Sequence, residues 1–505
     1  MRIVKKNTTL LLAAFIVLFT QQNVAQQKSL TDTTKQKISL NDILTIAGKK
    51  SLDAFKAKQQ YGANYWRFKS YNSSMLPKVN LELQPISYNK SVVKRYDNIN
   101  NIDVYKQQET FNSYSDISIN QIIRATGARV FLNTNFNRLS SSGEVSSKDY
   151  SATPISFGFF QPIMAYNSFK WEHKIEPLQF ERSKKEFIYN MQDINVKAVT
   201  YFFNWALANK RVELAKENEE TAQKLFKIGK KRYELGSIEK DDVLNLELDI
   251  YNANTNLIQT QKELEKTVAE LKLFLADDSF LNTTPELPEL ISNMQIDVVE
   301  AIKLAEDNNP KIFNLKIKKI EGLRDLDKVI KENRFDLFMS GNYGLNQYAN
   351  TPQGAYSNLQ EQQIIAVQFK MPILDWGERK GNIKTAKLNK EVNDIGIQNE
   401  EDQIHQQLVL KIADFNLQNQ LVSGALRSSE ISKSSYDVTE KRFLSGSIDL
   451  LRLTSARKAW QAASENYITS LYNYWRFYYE VQQLTLYDFQ NTTTISKNFD
   501  EILDK

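Results

Sequence analysis

The octapeptide KRYELGSI at 231–238 returns as KRFLSGSI at 441–448, 210 residues further along the chain. Upstream of each copy, Pro162 in FQPIMAYNSFK matches Pro372 in FKMPILDWGERK at the same offset. The step from proline to the glycine of the octapeptide (Gly236, Gly446) is therefore 74 residues in both places, without a gap. Equal length with little identity points to a geometric constraint, a reach, rather than to a chemical site. A second register links LNDILTIAGKK (40–50) to VVEAIKLAEDN (298–308) at an offset of 258, and carries through PKVNLEL (77–83) against FDLFMSG (335–341). The two offsets differ by 48 residues, which places an insertion in the first copy between about 84 and 154.

Within each copy the hydrophobic period changes. A helical stretch (38–72; 296–332) gives way to alternation, as in KVNLELQ, where Val79, Leu81 and Leu83 alternate with Asn80, Glu82 and Gln84. A second alternating run follows, Ile155, Phe157 and Phe159 in one copy and Ile365, Val367 and Phe369 in the other. Period-two alternation over short runs predicts strands with one apolar face. Long glycine-poor stretches come next, about 178–234 and 373–444. Phe187, Met191, Ile194, Phe202 and Trp205, or Val409, Ile412, Phe415 and Leu417, supply the 3–4 spacing of amphipathic helices there. Gly236 and Gly446 mark the stops, since glycine accepts the left-handed conformation after a helix. Ser237 and Ser447 are expected as the next N-caps, with Glu239 and Asp449 near the positive helix ends. Helical pattern then resumes over 238–277 and 448–486, so each copy ends in a long hairpin.

Composition narrows the setting. Arg2, Lys5 and Lys6 precede the apolar run Leu10–Phe19, and Ala25 offers a cleavage point, the pattern of a secretory signal. Removing those three basic residues lowers the formal charge from +5 to +2, too little for a nucleic-acid partner. No cysteine occurs, which excludes disulfides and thiolate metal sites. The two histidines, His173 and His405, are not equivalent in the repeat, and no phosphate loop, HExxH or nucleophile elbow occurs. No enzyme, cofactor or metal is expected.

The strands are few and separated by long helices, so a sheet built from one chain has open edges. Such edges are forbidden in lipid, and closing them requires several chains sharing one barrel. Aromatics near the strand ends (Phe159, Phe160, Tyr166, Trp171, Trp376) suit membrane interfaces.

The duplicated helix–strand–strand–helix order, the proline at the strand-to-helix junction and the R-(Y/F)-x-x-G-x-I tips resemble the TolC family of outer-membrane efflux ducts. YSATPISFGFFQPIMAYNSFKWEHKIEPL (150–178) is similar to the Bacteroidetes branch of that family. The resemblance covers about 38–487. It implies a mainly α fold with a small β part: a homotrimer sharing an outer-membrane β-barrel of 12 strands, above a long periplasmic α-helical coiled tunnel. It implies the cell outer membrane as location, with a large periplasmic portion, and outer-membrane lipid as surroundings. It further implies a periplasmic adaptor (membrane fusion protein) and an inner-membrane pump of RND or ABC type as partners. The adaptor would engage the tips, Arg232, Tyr233, Gly236, Ser237 and Ile238 on one and Arg442, Phe443, Gly446, Ser447 and Ile448 on the other.

The domain plan that follows is a signal peptide at 1–25, a linker at 26–37, and a first repeat at 38–280. That repeat holds strands at about 77–163, including the 48-residue insertion, and a tip at 231–238. An inter-repeat linker at 281–295 leads to a second repeat at 296–487, with strands at about 335–372 and a tip at 441–448, and a tail fills 488–505. Family members often place aspartates at the periplasmic aperture just past the second tip. Here the matching positions are Arg452 and Ser455, while Asp241 and Asp242 follow the first tip, so an acidic constriction is not carried over intact. The insertion contains ISINQII, RATGA and RVFLNTNF, which alternate like a further hairpin, adding barrel strands or an external cap. The main reading is an efflux duct. A type I protein-secretion duct and a non-pore envelope coiled-coil protein are the alternatives.

Overall fold

The computed structural model describes residues 36–143, 146–291, 294–499 and 502; the signal-peptide expectation lies outside them. The chain runs β1 (Gln36–Ser39), α1 (Leu40–Lys50), α2 (Leu52–Ser74), β2 (Lys78–Asp97), β3 (Ile102–Ile123), β4 (Ala128–Ser142), β5 (Ser147–Ile163), α3 (Ser168–Glu234), α4 (Lys240–Leu275) and β6 (Thr283–Glu286). The second half follows with α5 (Val298–Asn308), α6 (Pro310–Glu332), β7 (Asp336–Ala349), β8 (Gln360–Lys370), α7 (Glu378–Leu444), α8 (Leu450–Thr485), β9 (Tyr487–Asp488) and β10 (Thr493–Thr494).

The repeat holds element by element. Both α3 and α7 have 67 residues, both α4 and α8 have 36, α1 and α5 have 11, and α2 and α6 have 23. A helix of 67 residues is about 100 Å long at about 1.5 Å per residue. Even the terminal caps repeat, since α4 and α8 both end on a left-handed residue, Ala276 and Leu486. Two boundaries differ from the sequence reading. The first helical stretch of each copy is broken into two helices by Ser51 and Asn309, each of which ends one helix in an extended conformation and caps the next. The helix expected from about 178 starts at Ser168 and carries Pro177 inside it.

Six strands form one antiparallel sheet in the order β2-β3-β4-β5-β7-β8. The strands run from 11 to 22 residues, longer than the sequence pattern indicates. Strands β3 and β4 are the insertion, hydrogen-bonded in sequence between β2 and β5. The register assigns each face its chemistry. Asn80, Ser118, Asn133, Ser156, Gly344 and Gln362 lie in one row on one face. The adjacent row on the other face reads Val79, Ile119, Leu132, Phe157, Tyr343 and Gln363. This is the alternation of a membrane barrel, one face polar and the other apolar. Asn80 is two residues from the start of β2, whereas Gln362 is eight from the end of β8, so the sheet steps by about one residue per strand. At about 3.3 Å per residue and about 4.8 Å between strands this is a tilt of about 35°, within the range that lets a sheet close. Glycines accept aromatics on both faces: a Cβ at Gly158 would meet the Phe131 ring, and one at Gly341 the Phe159 ring. Strands β2 and β8 leave their outer edges unpaired among the described residues.

Below the sheet the long helices lie side by side. Helix α4 packs on α3, α3 on α8, and α8 on α7, so α4 and α7 are the flanks. The main core gathers midway, where α1 and α5 and the parallel β1–β6 pair wrap Phe202, Phe203, Phe415, Tyr474 and Tyr478. Ile412 and Phe415 are buried there, but Val409 and Leu417 are exposed, contrary to the expected stripe. They face away from the chain's own core. The sequence NYWRF at 473–477 lies in this core on α8. No helix among the described residues is long and apolar enough to cross a membrane.

Asn309 ties two parts of this core together. Its Oδ1 accepts from the Lys311 amide at 2.8 Å, and its Nδ2 donates to the buried carbonyl of Leu484 at 2.7 Å. Asn309→Ala is expected to cost about 3 kcal/mol, the sum of a lost cap and an orphaned buried carbonyl. The readout is the temperature at which detergent-solubilised protein loses helical circular dichroism. Asn41→Ala, an exposed position on α1, should leave that temperature nearly unchanged.

Candidate functional site

The two octapeptides sit side by side at the end of the helices distant from the sheet. Each ends its long helix with the same double closure. Gly236 donates to Tyr233 O and Ser237 to Arg232 O, at 2.9 and 2.8 Å. Gly446 donates to Phe443 O and Ser447 to Arg442 O, both at 2.9 Å. Both glycines take positive φ, +69° and +80°, which is why the position demands glycine. The next helices are capped two residues later than expected. Glu239 rather than Ser237 begins α4, in a capping box with Asp242, and Asp449 rather than Ser447 begins α8, accepting from the Arg452 amide at 2.9 Å. Ser237 and Ser447 have their amides committed to the preceding helices, so they close one helix instead of opening the next.

The tips are joined by Arg232. Its guanidinium donates to the carbonyls of Phe443 and Leu444 at 3.2 and 2.9 Å and lies 5.7 Å from the Phe443 ring centre. The cation thus adds a second donor to the Phe443 carbonyl, which already accepts from the Gly446 amide, and reaches the Leu444 carbonyl beside it, at the negative end of the helix dipole. The aromatics, equated in sequence, part company here: Phe443 is 8% exposed and Tyr233 45%. Between the tips lies a cavity of ≈ 420 Å³ whose walls include Ile228, Ile238, Leu246, Phe443, Ile448 and Leu450. Above it Tyr436 and Trp460 stack with centres 5.2 Å apart, and Lys433 caps the Trp460 ring at 4.0 Å. The apolar lining, Leu246 and Leu450 above all, was missed by motif reading, because it comes from α4 and α8 beyond the octapeptides.

Of the aperture candidates, Asp241, Asp242, Arg452 and Ser455 are all exposed. Asp242 Oδ2 accepts from the Glu239 amide at 3.4 Å, so one of the two expected acids acts as a helix cap. The histidines sit apart. His173 Nδ1 is 3.3 Å from Arg124 Nη1 and His405 Nε2 is 3.4 Å from Glu306. No cluster of metal-ligating residues occurs among the described residues.

Residues 128–276 match the family model described as outer membrane efflux protein. No curated protein sequence matches the chain. Among solved structures, the Campylobacter jejuni CmeC outer membrane channel is similar at a TM-score of 0.64 and 15% identity, over 95% of this chain and 93% of that one. The Vibrio cholerae outer membrane protein VceC is similar at 0.61 and 10%, over 88% and 95%. The open-state Neisseria gonorrhoeae MtrE outer membrane channel is similar at 0.58 and 11%, over 91% and 94%. The family match spans the last two strands of the first copy and the first hairpin, and the fold is shared over nearly the whole chain with these outer membrane channels.

Proposed function

We propose that the chain is the exit duct of a tripartite efflux system. Three copies form a ring, their sheets close one barrel across the outer membrane, and their helices enclose a periplasmic tunnel. A periplasmic adaptor engages the hairpin tips, and an inner-membrane pump drives substrate into the tunnel, through which it passes without chemistry. The observation that carries this reading is that both flanks are unfinished at both levels. The β2 and β8 edges are unpaired, and the flanking helices expose apolar seams. On α4, Leu244, Leu248, Tyr251, Thr255 and Ile258 follow the 4-3 spacing of a coiled-coil seam, all exposed. On α7, Leu410, Leu417, Ile431 and Val438 lie at multiples of seven, all exposed. Such seams seek a helix, and another copy supplies one.

The inserted strands belong to the barrel in this reading. Three six-stranded sheets give 18 strands, and the pore is about half again as wide as a 12-stranded one, since diameter grows roughly with strand number. The polar face, with Ser118 and Asn133 from the insertion, lines it.

Two outcomes test these assignments. Ser118→Cys, in a chain with no other cysteine, should be labelled by a charged thiol reagent and lower the conductance of the protein in planar bilayers. Unchanged conductance after complete labelling would put β3 outside the pore. Ile238→Asp with Ile448→Asp sets charge in the cavity between the tips, and should abolish efflux while heat-resistant trimers remain in the outer membrane. Efflux at the parental level would show that the adaptor does not use this cleft.

A further inference from the structure

On the polar face of the sheet, the row beside Asn80, Ser118 and Asn133 reads Glu82, Asp116, Asn135 and Thr153 across β2, β3, β4 and β5. Glu82 and Asp116 stand directly opposite each other on neighbouring strands, where like charges repel. Lys78 is the nearest basic residue on this face of β2, β3 and β4. It lies four residues along β2, about 13 Å away at about 3.3 Å per residue, too far to pair with either acid. Asp116 is the one carboxylate buried among the described residues, 9% exposed, and its Oδ1 has no hydrogen-bond partner. Its diagonal neighbours on β4, Asn133 and Asn137, share that condition: each has an Oδ1 shielded from solvent and without a donor. Tyr114, two residues along β3, brings its hydroxyl to the Asp116 carboxylate.

The backbone is broken on both sides of this patch. Strand β2 carries an extra residue between Gln84 and Ser87, at Pro85, and β5 carries one between Thr153 and Ser156, at Pro154. Proline lacks the amide that a ladder needs, so it fixes the break where it stands. A bulge bends its strand and re-aims the side chains beside it. Two unpaired acids and three shielded oxygens are thereby gathered on one small area. Shielded oxygens without donors are costly, and so many together call for one shared partner.

We propose that this patch is a binding site for a hard divalent cation, calcium, on the polar wall of the sheet. Glu82 and Asp116 supply carboxylates, and Asn133, Asn135 and Asn137 supply amide oxygens. Calcium takes about six to eight oxygens in a flexible geometry, with water completing the set, whereas magnesium demands a strict octahedron. Softer metals favour the imidazole or thiolate that the patch lacks. The ion removes the repulsion between the two acids and gives the shielded oxygens their partner. It also ties the inserted strands β3 and β4 to β2. The site is complete within one chain and does not need the ring. Its effect on conduction rests on the barrel proposed above, where each copy sets two carboxylates into the pore at one level and calcium cancels their charge.

Calorimetry with calcium chloride on the detergent-solubilised protein should show saturable binding of one ion per chain, tighter than magnesium binds. Asp116→Asn and Glu82→Gln should each weaken it more than about tenfold, since even losses outside the ligand shell cost about that much. Asp149→Asn removes an acid further along the same face and should bind calcium as the parent does. Binding that Asp116→Asn leaves unchanged, or that Asp241→Asn/Asp242→Asn abolishes, overturns the site. Absence of binding overturns it too, and the two acids then share a proton instead. Tighter binding of magnesium overturns the choice of calcium. In planar bilayers under a potassium chloride gradient, calcium should lower the cation selectivity of the parent and hardly alter that of Asp116→Asn. Calcium binding with no change of selectivity in the parent keeps the site and overturns its place in the pore, so the two readings fail separately.

Discussion

A backbone amide or carbonyl left unpaired in hydrocarbon costs several kcal/mol, and in the membrane proposed for it this sheet would carry two such rows. One lies along β2, the other along β8. Their outward side chains are apolar, so the edges cannot simply be withdrawn into water. The two edges run in opposite directions, as six antiparallel strands require, and can therefore pair with each other between copies. The stagger of the register supplies the tilt that closure needs. In the ring proposed above the rest follows from that constraint: helices continuing from the strands also come round, and their apolar seams lie on the same flanks as the open edges. In the duct proposed above, the outer-membrane barrel and the long helical tunnel are two consequences of one unsatisfied hydrogen-bond ladder.

Much of this was legible because the chain states it twice. Equal spacing from Pro162 to Gly236 and from Pro372 to Gly446 is a length measurement, and the helices obey it to the residue. The glycines were legible because only a left-handed position requires them. The breaks at Ser51 and Asn309 were not, since a helix that stops and restarts within one residue leaves the hydrophobic period almost undisturbed. Pro310 was the available signal, being favoured in the first turn of a helix and not in its middle. The extra length of β2 and β3 was hidden for a different reason. Beyond about residue 88 charged residues such as Lys90, Lys94 and Arg95 interrupt the apolar ones, and regular alternation, the only mark of a strand, fades.

Helical periodicity carries a deeper ambiguity in an assembling protein. Val409 and Leu417 fit the same 3–4 pattern as Ile412 and Phe415, yet only the latter two are buried in their own chain. A seam for a neighbour and a stripe for a core have identical sequence signatures, because both ask the helix for one apolar face. Burial distinguishes them, and α7 carries both on different sides.

The tips show how such a repeat can diverge without losing its geometry. In the first copy Asp242 spends its carboxylate on the Glu239 amide, so the acid at that position is tied to helix capping. In the second copy Asp449 makes the cap by itself, through the amide of residue 452, and the side chain there is released from that duty. Arg452 can therefore differ in charge from Asp242 at no cost to the turn. The same freedom holds one residue earlier, where Asp241 is matched by Leu451. What stays fixed between copies is what the backbone demands, the left-handed glycine and the arginine four residues before it. What varies is the charge just beyond, on the exposed side chains of Asp241 and Asp242 in one copy and Leu451 and Arg452 in the other.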